Sequence, residues 1–342
     1  MEKAFENSNS DLNQLAVEVL KPYGITPESV SVIQGGTIKT VWRVKTHEGF
    51  VCLKRLKQTY DKALFSVNAQ IYIKKSGGNV PKVILDRESR PIVQYNDQLF
   101  VLYEWLDGRS LDFNNNQDLV PSIQGLAQLH TASKGYIPVE NARTSTKLGK
   151  WFEQYNSMKN RMAEWKEISR KSSSLAHHSA YVKHVDSIID ISDLALSLLE
   201  GSAYKKLAAP SSKSVVLCHQ DFGKGNVILT DNGVYVLDLD GVTFDLPARD
   251  LRKIIGKRAE NKGMWESGNI RSILQIYSYI NPLTAEEKDV LYIDMVFPHW
   301  FFGLVKNMFQ SGKSLKPSEI ERIAKLEHSK LSVLNVLLKR GE

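Results

Sequence analysis

Three oxygen-bearing side chains lie close together in the sequence and could serve one reaction. They are the carboxylate of Asp221, the amide of Asn226 and the carboxylate of Asp238. Mg²⁺ takes oxygen ligands and is usually held by one or two carboxylates together with the phosphates of a substrate. These positions therefore predict a site for magnesium and a phosphorylated ligand, with Asn226 and Asp238 as the metal ligands.

The spacing His219-x-Asp221-x-x-x-x-Asn226 is that of the catalytic loop of protein kinases. In that loop the Asp accepts the proton of the attacking hydroxyl and the Asn binds magnesium, which predicts Asp221 as the catalytic base. Residues 221–223 also read D-F-G, the motif that marks the metal-binding Asp of protein kinases. We reject that assignment because the loop His precedes Asp221, the loop Asn follows it, and a further hairpin leads to Asp238.

Short apolar runs surround this loop at residues 215–217, 227–230 and 234–237, and an Asp-Asn-Gly turn at 231–233 separates the last two. The pattern predicts a strand and then a hairpin, so the loop has a rigid base. An isolated match to the loop spacing is weak, because Asp, Gly and Asn are common turn residues. Its position between apolar strands favours a phosphotransferase site over an ordinary loop.

The N-terminal part predicts three strands, at residues 30–33, 41–44 and 50–54. Gly35 and Gly36 separate the first two strands. Glycines let the backbone approach phosphate oxygens without a side-chain clash, although most Gly-Gly pairs form an ordinary hairpin. Gly35 and Gly36 are candidate nucleotide-binding residues.

Lys54 lies on the third of these strands, and period two places it on the same face as Cys52 and Phe50. An ammonium group on an apolar face needs an anion nearby, because burying it unpaired is costly. Two strands around a Gly-Gly turn and a third that carries a Lys resemble the start of the kinase small lobe, in which this Lys neutralises phosphates. Lys54 is therefore a predicted nucleotide-binding residue.

A helix predicted at residues 61–75 departs from the kinase pattern. The corresponding kinase helix has a Glu that pairs with the strand Lys, whereas the middle of this segment offers Ser66, Asn68 and Gln70. We therefore expect Lys54 to be held by a neutral partner or by nucleotide alone.

Extended segments at residues 82–85, 91–95 and 99–103 lead to Glu104 and Trp105, where the β pattern gives way to a Gly-bearing linker. We predict a hinge there, whose backbone groups, including those of Glu104 and Trp105, bind the adenine of a nucleotide. An edge strand that ends in a turn has the same sequence pattern.

The bulk composition allows one large or two modest globular domains: 342 residues, 42% of them hydrophobic, with a formal net charge of +7. The charge favours anionic partners. The N-terminus has neither the basic nor the apolar region of a signal peptide, and no segment predicts a membrane span. Cys52 and Cys218 each lie in a predicted strand, so reduced thiols are expected rather than a disulfide.

Beyond the predicted hinge the pattern is mostly helical. His130 lies on the apolar face of one helix and is expected to be a core residue. Residues 143–183 are rich in Lys and Arg, which favours a solvated face, with docking on an anionic surface as the alternative. His177, His178 and His184 are expected in a Ser-rich connection.

Taken together, the chain resembles the aminoglycoside phosphotransferase and choline kinase branch of the protein-kinase-like fold. The resemblance runs from about residue 30 to the C-terminus and rests on these residues: Gly35, Gly36, Lys54, His219, Asp221, Asn226, Asp238 and the helix start Pro247-x-x-Asp250-Leu251. The branch often has Gly where this chain has Gln220. The resemblance implies an α+β fold, with a small antiparallel β-sheet lobe at 1–103, a hinge at 104–110 and a mostly helical lobe at 111–342.

Within that branch, three motifs look like the CotS-type spore coat proteins: L-H-x-x-S at 129–133, L-G-K-W at 148–151 and F-P-H at 297–299. This resemblance implies synthesis in the mother-cell cytoplasm, deposition in the spore coat and other coat proteins as partners. Carried over from the wider branch, ATP and Mg²⁺ are the implied cofactors.

Two functions stay open. The first is an ATP- and Mg²⁺-dependent kinase that phosphorylates a hydroxyl of a small molecule or saccharide. The second is a non-catalytic component of the spore coat, which the missing helix Glu and the basic run motivate. Nucleic-acid binding has only the net charge in its support, and a protein-substrate kinase is disfavoured because no A-P-E segment or activation loop follows Asp238.

Overall fold

The structure is a computed structural model that describes residues 2–34 and 40–339, with side chains described from residue 11 onward. The helices are α1 Glu2–Leu20, α2 Tyr60–Lys75, α3 Asn116–Ser133, α4 Trp151–Lys171, α5 Ala176–Glu200, α6 Tyr204–Leu207, α7 Ala248–Lys262, α8 Ser267–Ser278, α9 Ala285–Val296, α10 His299–Ser311 and α11 Pro317–Leu338. The strands are β1 Ser29–Gln34, β2 Thr40–Thr46, β3 Gly49–Leu56, β4 Val83–Ile84, β5 Val93–Tyr95, β6 Gln98–Glu104, β7 Arg109–Ser110, β8 Val216–Cys218, β9 Val227–Thr230, β10 Gly233–Val236 and β11 Thr243–Asp245.

The chain forms two compact units. The first comprises Met1–Leu111, Gln128–Ser145 and Lys224–Thr243. The second comprises Asp112–Ala127, Thr146–Gly223 and Phe244–Glu342.

The first unit is built on an antiparallel sheet in the order β1-β2-β3-β6-β4, with β5 also paired to β6. Period two sends alternate residues of β3 to opposite faces. Leu53 packs in a cluster with Ala16 and Leu20 of α1, whereas Cys52 packs on the other face against a cluster that includes Ala63 and Val67 of α2. The prediction that Lys54 shares a face with Cys52 is consistent with this packing.

The hairpin predicted after the catalytic loop is also present in the first unit. β9 pairs with β10, and β7 adds a third strand beside β9. Gly233 starts β10 with a φ of 105°, a conformation that glycine adopts without strain, which explains the Asp-Asn-Gly turn.

The second unit is mostly helical, and a short two-stranded sheet of β8 and β11 lies beside its helices. α7 buries Leu251, Ile254 and Ile255, the spacing of an amphipathic helix. α9 begins with a capping box in which Thr284 and Glu287 satisfy each other's backbone amides.

A 3₁₀ turn at Lys21–Tyr23 follows α1. One expectation about the helical part of the chain differs from the structure. His177, His178 and His184 lie in α5 rather than in a connection. The predicted helix at 61–75 and the buried His130 are confirmed, and both cysteines are free thiols. None of the described helices is long and apolar enough to cross a membrane.

Candidate active site

Lys54 is the centre of a charged cluster in the first unit. Its Nζ donates to Asp238 Oδ1 and to Asp240 Oδ1, each at 2.7 Å. Burial would lower the pKa of the Lys54 ammonium, but the carboxylates of Asp240 and Asp238 outweigh it and hold the pKa above its ordinary value. Lys54 is therefore charged at neutral pH and has two anionic partners.

This pairing corrects the expectation of a neutral partner for Lys54. The polar residues in the middle of α2 are engaged elsewhere: Asn68 donates to Leu64 O at 2.8 Å and Gln70 donates to Pro81 O at 2.6 Å. Ser66 accepts a bond from Gln58 at 3.1 Å. The carboxylates that hold Lys54 follow β10 instead of lying on the helix.

The backbone after β10 explains how two acids reach one lysine. Asp238 adopts a left-handed conformation with φ 59° and ψ 60°, and a 3₁₀ turn at Leu239–Gly241 follows directly. Leu239 is buried with 1% exposure, which anchors the turn between the two acids. Both carboxylates then lie at the same ammonium, although they are only two residues apart.

Asn226 is brought towards Asp238 by the register of the hairpin. Val236 of β10 pairs with Val227 of β9, and the next backbone bond runs from Leu237 N to Asn226 O at 2.8 Å. The residue opposite Asn226 is thus the immediate predecessor of Asp238. The two predicted metal ligands lie at one end of this hairpin.

A cavity of about 290 Å³ in the first unit contains most of the predicted nucleotide and metal residues. Its lining includes Lys54, Glu104, Trp105, Asn226 and Asp238. The volume and the mixture of apolar walls with a few polar groups are typical of small-molecule sites. The cavity thus brings together predicted site residues that are far apart in the sequence.

The side chains of Glu104 and Trp105 are already engaged. Glu104 Oε1 accepts from Lys82 N at 2.7 Å and from Lys74 Nζ at 3.1 Å. Trp105 Nε1 donates to Asp107 Oδ1 at 2.8 Å. These side chains, and Glu104 N, which donates to Lys82 O at 2.9 Å, hold the linker in place.

The loop that carries Asp221 belongs to the second unit. His219 is buried, and its Nδ1 accepts from Asp221 N at 3.3 Å. Asp221 itself is exposed. His219 therefore supports the backbone at Asp221.

Asp250 is a site residue whose role sequence reasoning missed. Its carboxylate accepts from His219 N at 2.6 Å and from Gln220 N at 2.9 Å, and its side chain is fully buried. Charge-assisted bonds of this kind are strong, so Asp250 fixes the backbone just before Asp221. The helix start Pro247-x-x-Asp250 was visible, but the loop that it would hold was not.

Gln220 has a φ of 67°, in the left-handed region that favours glycine. A glycine at this position would adopt the same conformation without strain. The predicted residues Gly35 and Gly36 lie outside the described residues.

Comparison with known proteins gives three findings. A model of the phosphotransferase enzyme family matches residues 29–267. Spore coat protein S of Bacillus subtilis (strain 168) is 22% identical over 329 residues, which cover 95% of this chain and 94% of that protein.

Among solved structures, an aminoglycoside phosphotransferase from Alicyclobacillus acidocaldarius has a TM-score of 0.74 at 15% identity, with 95% of each chain covered. Amicoumacin kinase in complex with AMP-PNP, Ca²⁺ and Ami has a TM-score of 0.61 at 15% identity, with 98% of this chain and 100% of that one covered. These likenesses confirm the predicted α+β, kinase-like fold. Because the family model spans more than half of the sequence, the chain belongs to the phosphotransferase enzyme family.

Proposed function

We propose that this protein transfers the γ-phosphoryl group of ATP to a hydroxyl of a small molecule or saccharide, with Mg²⁺ as the metal. The observation that carries the proposal is the Lys54 centre, in which one buried ammonium pairs with the carboxylates of Asp238 and Asp240. Lys54 and Asp238 line one cavity with Asn226. Phosphoryl transfer needs positioning and charge neutralisation more than covalent chemistry, and this centre supplies groups for both.

The donor set suits a divalent cation. Asp238 and Asp240 together carry one more negative charge than Lys54 balances, and the Asn226 amide adds a neutral oxygen ligand. Asp238 and Asn226 would hold the ion, and Asp240 is available beside them. When bound, Mg²⁺ would neutralise charge on the transferring phosphate.

In the proposed reaction Asp221 accepts the proton of the acceptor hydroxyl. The acceptor oxygen forms a bond to Pγ, the bond from Pγ to its bridging oxygen breaks, and ADP leaves with that electron pair. Lys54 would neutralise phosphate oxygens, and the backbone of Glu104 and Trp105 would bind adenine. The roles of Gly35 and Gly36 at the phosphates stay a prediction.

We further propose that the protein is a component of the spore coat, made in the mother-cell cytoplasm. The similarity to spore coat protein S along 95% of the chain supports this. A non-catalytic role in the coat is the second candidate. Its motives are the missing helix Glu and the basic run at residues 143–183. Asp238 and Asp240 supply Lys54 with the charge partner that the middle of α2 lacks, whereas the basic run stays in favour of this candidate.

The test is a transfer assay with ATP, Mg²⁺ and a panel of hydroxyl compounds, applied to wild type, Asp221→Asn and the exposed turn variant Asp231→Asn. Removal of a general base should lower kcat by about 10²- to 10⁴-fold, whereas Asp231→Asn should match wild type. Equal transfer by wild type and Asp221→Asn would contradict the role of Asp221. Absence of transfer to every compound by a folded protein that binds no ATP would favour the non-catalytic candidate.

A further inference from the structure

The second unit has a cavity of its own, of about 580 Å³. Its walls come from the loop that carries Asp221 and from helices α7, α10 and α11. The charged and aromatic residues of the wall include Phe222, Arg252, Lys253, Lys257, His299 and Trp300. We call this space the basic cavity.

The basic cavity is next to the proposed catalytic base. Phe222, in its wall, directly follows Asp221 in the chain. The Asp221 carboxylate also acts electrostatically on Lys253, another wall residue. A compound bound in the basic cavity would therefore lie near Asp221.

Positive charge exceeds negative charge in the wall of the basic cavity. Arg252, Lys253 and Lys257 contribute three cations, and Glu260 contributes one carboxylate. Lys257 is paired with Glu260 at 3.0 Å. Lys253 has no carboxylate at ion-pair distance within the described part of the chain, so its charge is available to a ligand.

Lys253 is exposed to solvent, and the two nearby guanidiniums disfavour its charge. Desolvation lowers the pKa of the Lys253 ammonium, and the guanidiniums of Arg252 and Arg249 lower it further. The carboxylates of Asp250 and Asp221 raise it. An anion in the basic cavity would relieve this repulsion.

Arg252 forms a rigid, charged part of the wall. Its Nη1 lies 3.3 Å from Asp294 Oδ1, and its side chain is 9% exposed. Its Nε is buried and has no hydrogen-bond partner in the described protein. A ligand cannot reach the buried Nε, so Nη2, which makes no hydrogen bond to the described residues, is the donor that the cavity can use. Guanidinium is well suited to bind carboxylate and phosphate.

Trp300 gives the basic cavity an apolar platform. A Cβ atom at Gly256 would lie 1.8 Å from the indole ring, so glycine at 256 is what allows the ring to pack against α7. Trp300 N donates to Glu327 Oε1 at 2.9 Å, which fixes the residue from the other side. A fixed, half-buried indole presents a flat surface suited to the apolar face of a sugar ring.

We propose that the basic cavity binds the phosphate acceptor, and that this acceptor is an anionic saccharide, a sugar that bears a carboxylate or phosphate group besides the hydroxyl to be phosphorylated. The inference rests on the proposed phosphotransferase function. Arg252 and Lys253 hold the anion, the sugar ring packs on Trp300, and the hydroxyl faces Asp221. A polycationic amino sugar would be repelled by the same residues.

Binding can be measured without nucleotide, by calorimetry or by ligand-observed NMR on the whole protein. The probes are D-glucuronate, D-glucose 6-phosphate, D-glucose and D-glucosamine, which differ in charge on one sugar scaffold. We expect at least one anionic probe to bind about tenfold more tightly than glucose, and glucosamine to bind most weakly. The ranking of the two anionic probes identifies the preferred anion.

Two lysine variants on α7 test the location. Lys253→Gln should weaken the anionic probes by about fivefold and leave glucose unchanged. Lys262→Gln is the matched control, since Lys262 lies on the same helix outside the cavity wall and pairs with Glu266 at 2.6 Å. Its binding should equal that of wild type.

The proposal is overturned if no anionic probe binds the folded wild type, if glucose or glucosamine binds as tightly as they do, or if Lys253→Gln binds like Lys262→Gln. Binding of anions without transfer from ATP would leave the site standing and contradict the proposed phosphotransferase. Transfer to neutral or cationic sugars alone would support the proposed phosphotransferase and contradict the anionic acceptor.

Discussion

Lys54 in the first unit and Lys330 in the second are both buried lysines, and their surroundings differ. Lys54 Nζ contacts two carboxylates at 2.7 Å, and these are 29% and 27% exposed. Lys330 Nζ donates to Phe297 O at 3.0 Å and to Glu327, a carboxylate that is 1% exposed. Glu327 also accepts from Trp300 N and Phe301 N at 2.9 and 3.0 Å.

The pKa values of the two lysines shift in opposite directions. Burial lowers the pKa of Lys330 more than Glu327 raises it, whereas two carboxylates raise the pKa of Lys54 above its ordinary value despite burial. Lys330 therefore belongs to a closed structural pair with balanced charge. The Lys54 centre has surplus negative charge and partly exposed oxygens, which is what a site that exchanges ligands requires.

Replacing each lysine by Met should separate the two roles. Lys330→Met leaves Glu327 buried and unpaired and should lower the free energy of unfolding by about 3 to 5 kcal/mol. Lys54→Met leaves carboxylates that water can reach, so the free energy of unfolding should fall by less than half as much. Urea denaturation of both variants measures the difference.

The double variant Lys330→Met with Glu327→Met is the control for this reading. Removing both charges should recover part of the loss, because no unpaired charge is left. Equal destabilisation by Lys54→Met and Lys330→Met would break the distinction between an exchangeable and a structural pair.

Stability at acidic pH should depend on the buried pair of His299 and Asp294. Burial, with help from Arg252, lowers the pKa of His299 to about 3, against the pull of Asp294. The unfolded state takes up this proton below about pH 6.5 and the native state does not, so stability falls as pH falls from 6.5 towards 3. The pKa of Asp294 is lowered to about 2, so its stabilising effect is lost only below the unfolded value near 3.8.

Between pH 6.5 and 4 the slope of stability against pH therefore includes the His299 contribution and not that of Asp294. His299→Gln should reduce the slope of the free energy of unfolding against pH by at most about 1.4 kcal/mol per pH unit. The corresponding change in the dependence of Tm on pH is measured across that range. His47→Gln changes a histidine that is 83% exposed and should leave the slope as in wild type. An unchanged slope in His299→Gln would show that the imidazole is not held neutral.

The smallest effect is expected at the catalytic loop. Gln220, like Asp238, has a left-handed backbone, which costs a residue with a Cβ about 1 kcal/mol. Gln220→Gly should therefore raise the free energy of unfolding by up to about 1 kcal/mol, and Gln220→Ala, which keeps the Cβ, should not. Equal stability of the Gly and Ala variants would mean that the side chain, not the conformation, decides.

The elements of the site were predictable because their signals are local. Short apolar runs and the Asp-Asn-Gly turn predict β9 and β10, and period-two alternation on β3 places Lys54 on the face of Cys52. The spacing between Asn226 and Asp238 follows from that hairpin. A short motif is informative here because strands fix its geometry.

The partners of these residues were not predictable, because they depend on tertiary contacts. Asp238 and Asp240 both contact Lys54 because the backbone at Asp238 is left-handed. The residue types around position 238 do not predict that conformation. Asp250 reaches a loop 30 residues earlier in the chain. The helix containing His177 and His178 is stabilised by its buried face rather than by its own propensity.

Thermal stabilisation by ATP with and without Mg²⁺, compared between wild type, Asp238→Asn and the turn control Asp231→Asn, tests whether the Lys54 centre binds metal and nucleotide. Saturation at 100 times Kd should stabilise wild type by about 2.7 kcal/mol. We predict that wild type and Asp231→Asn show a shift that requires Mg²⁺, and that Asp238→Asn loses it. No shift at millimolar ATP in folded wild type, or the same Mg²⁺-dependent shift in Asp238→Asn, would contradict the claim that the Lys54 centre binds metal and nucleotide.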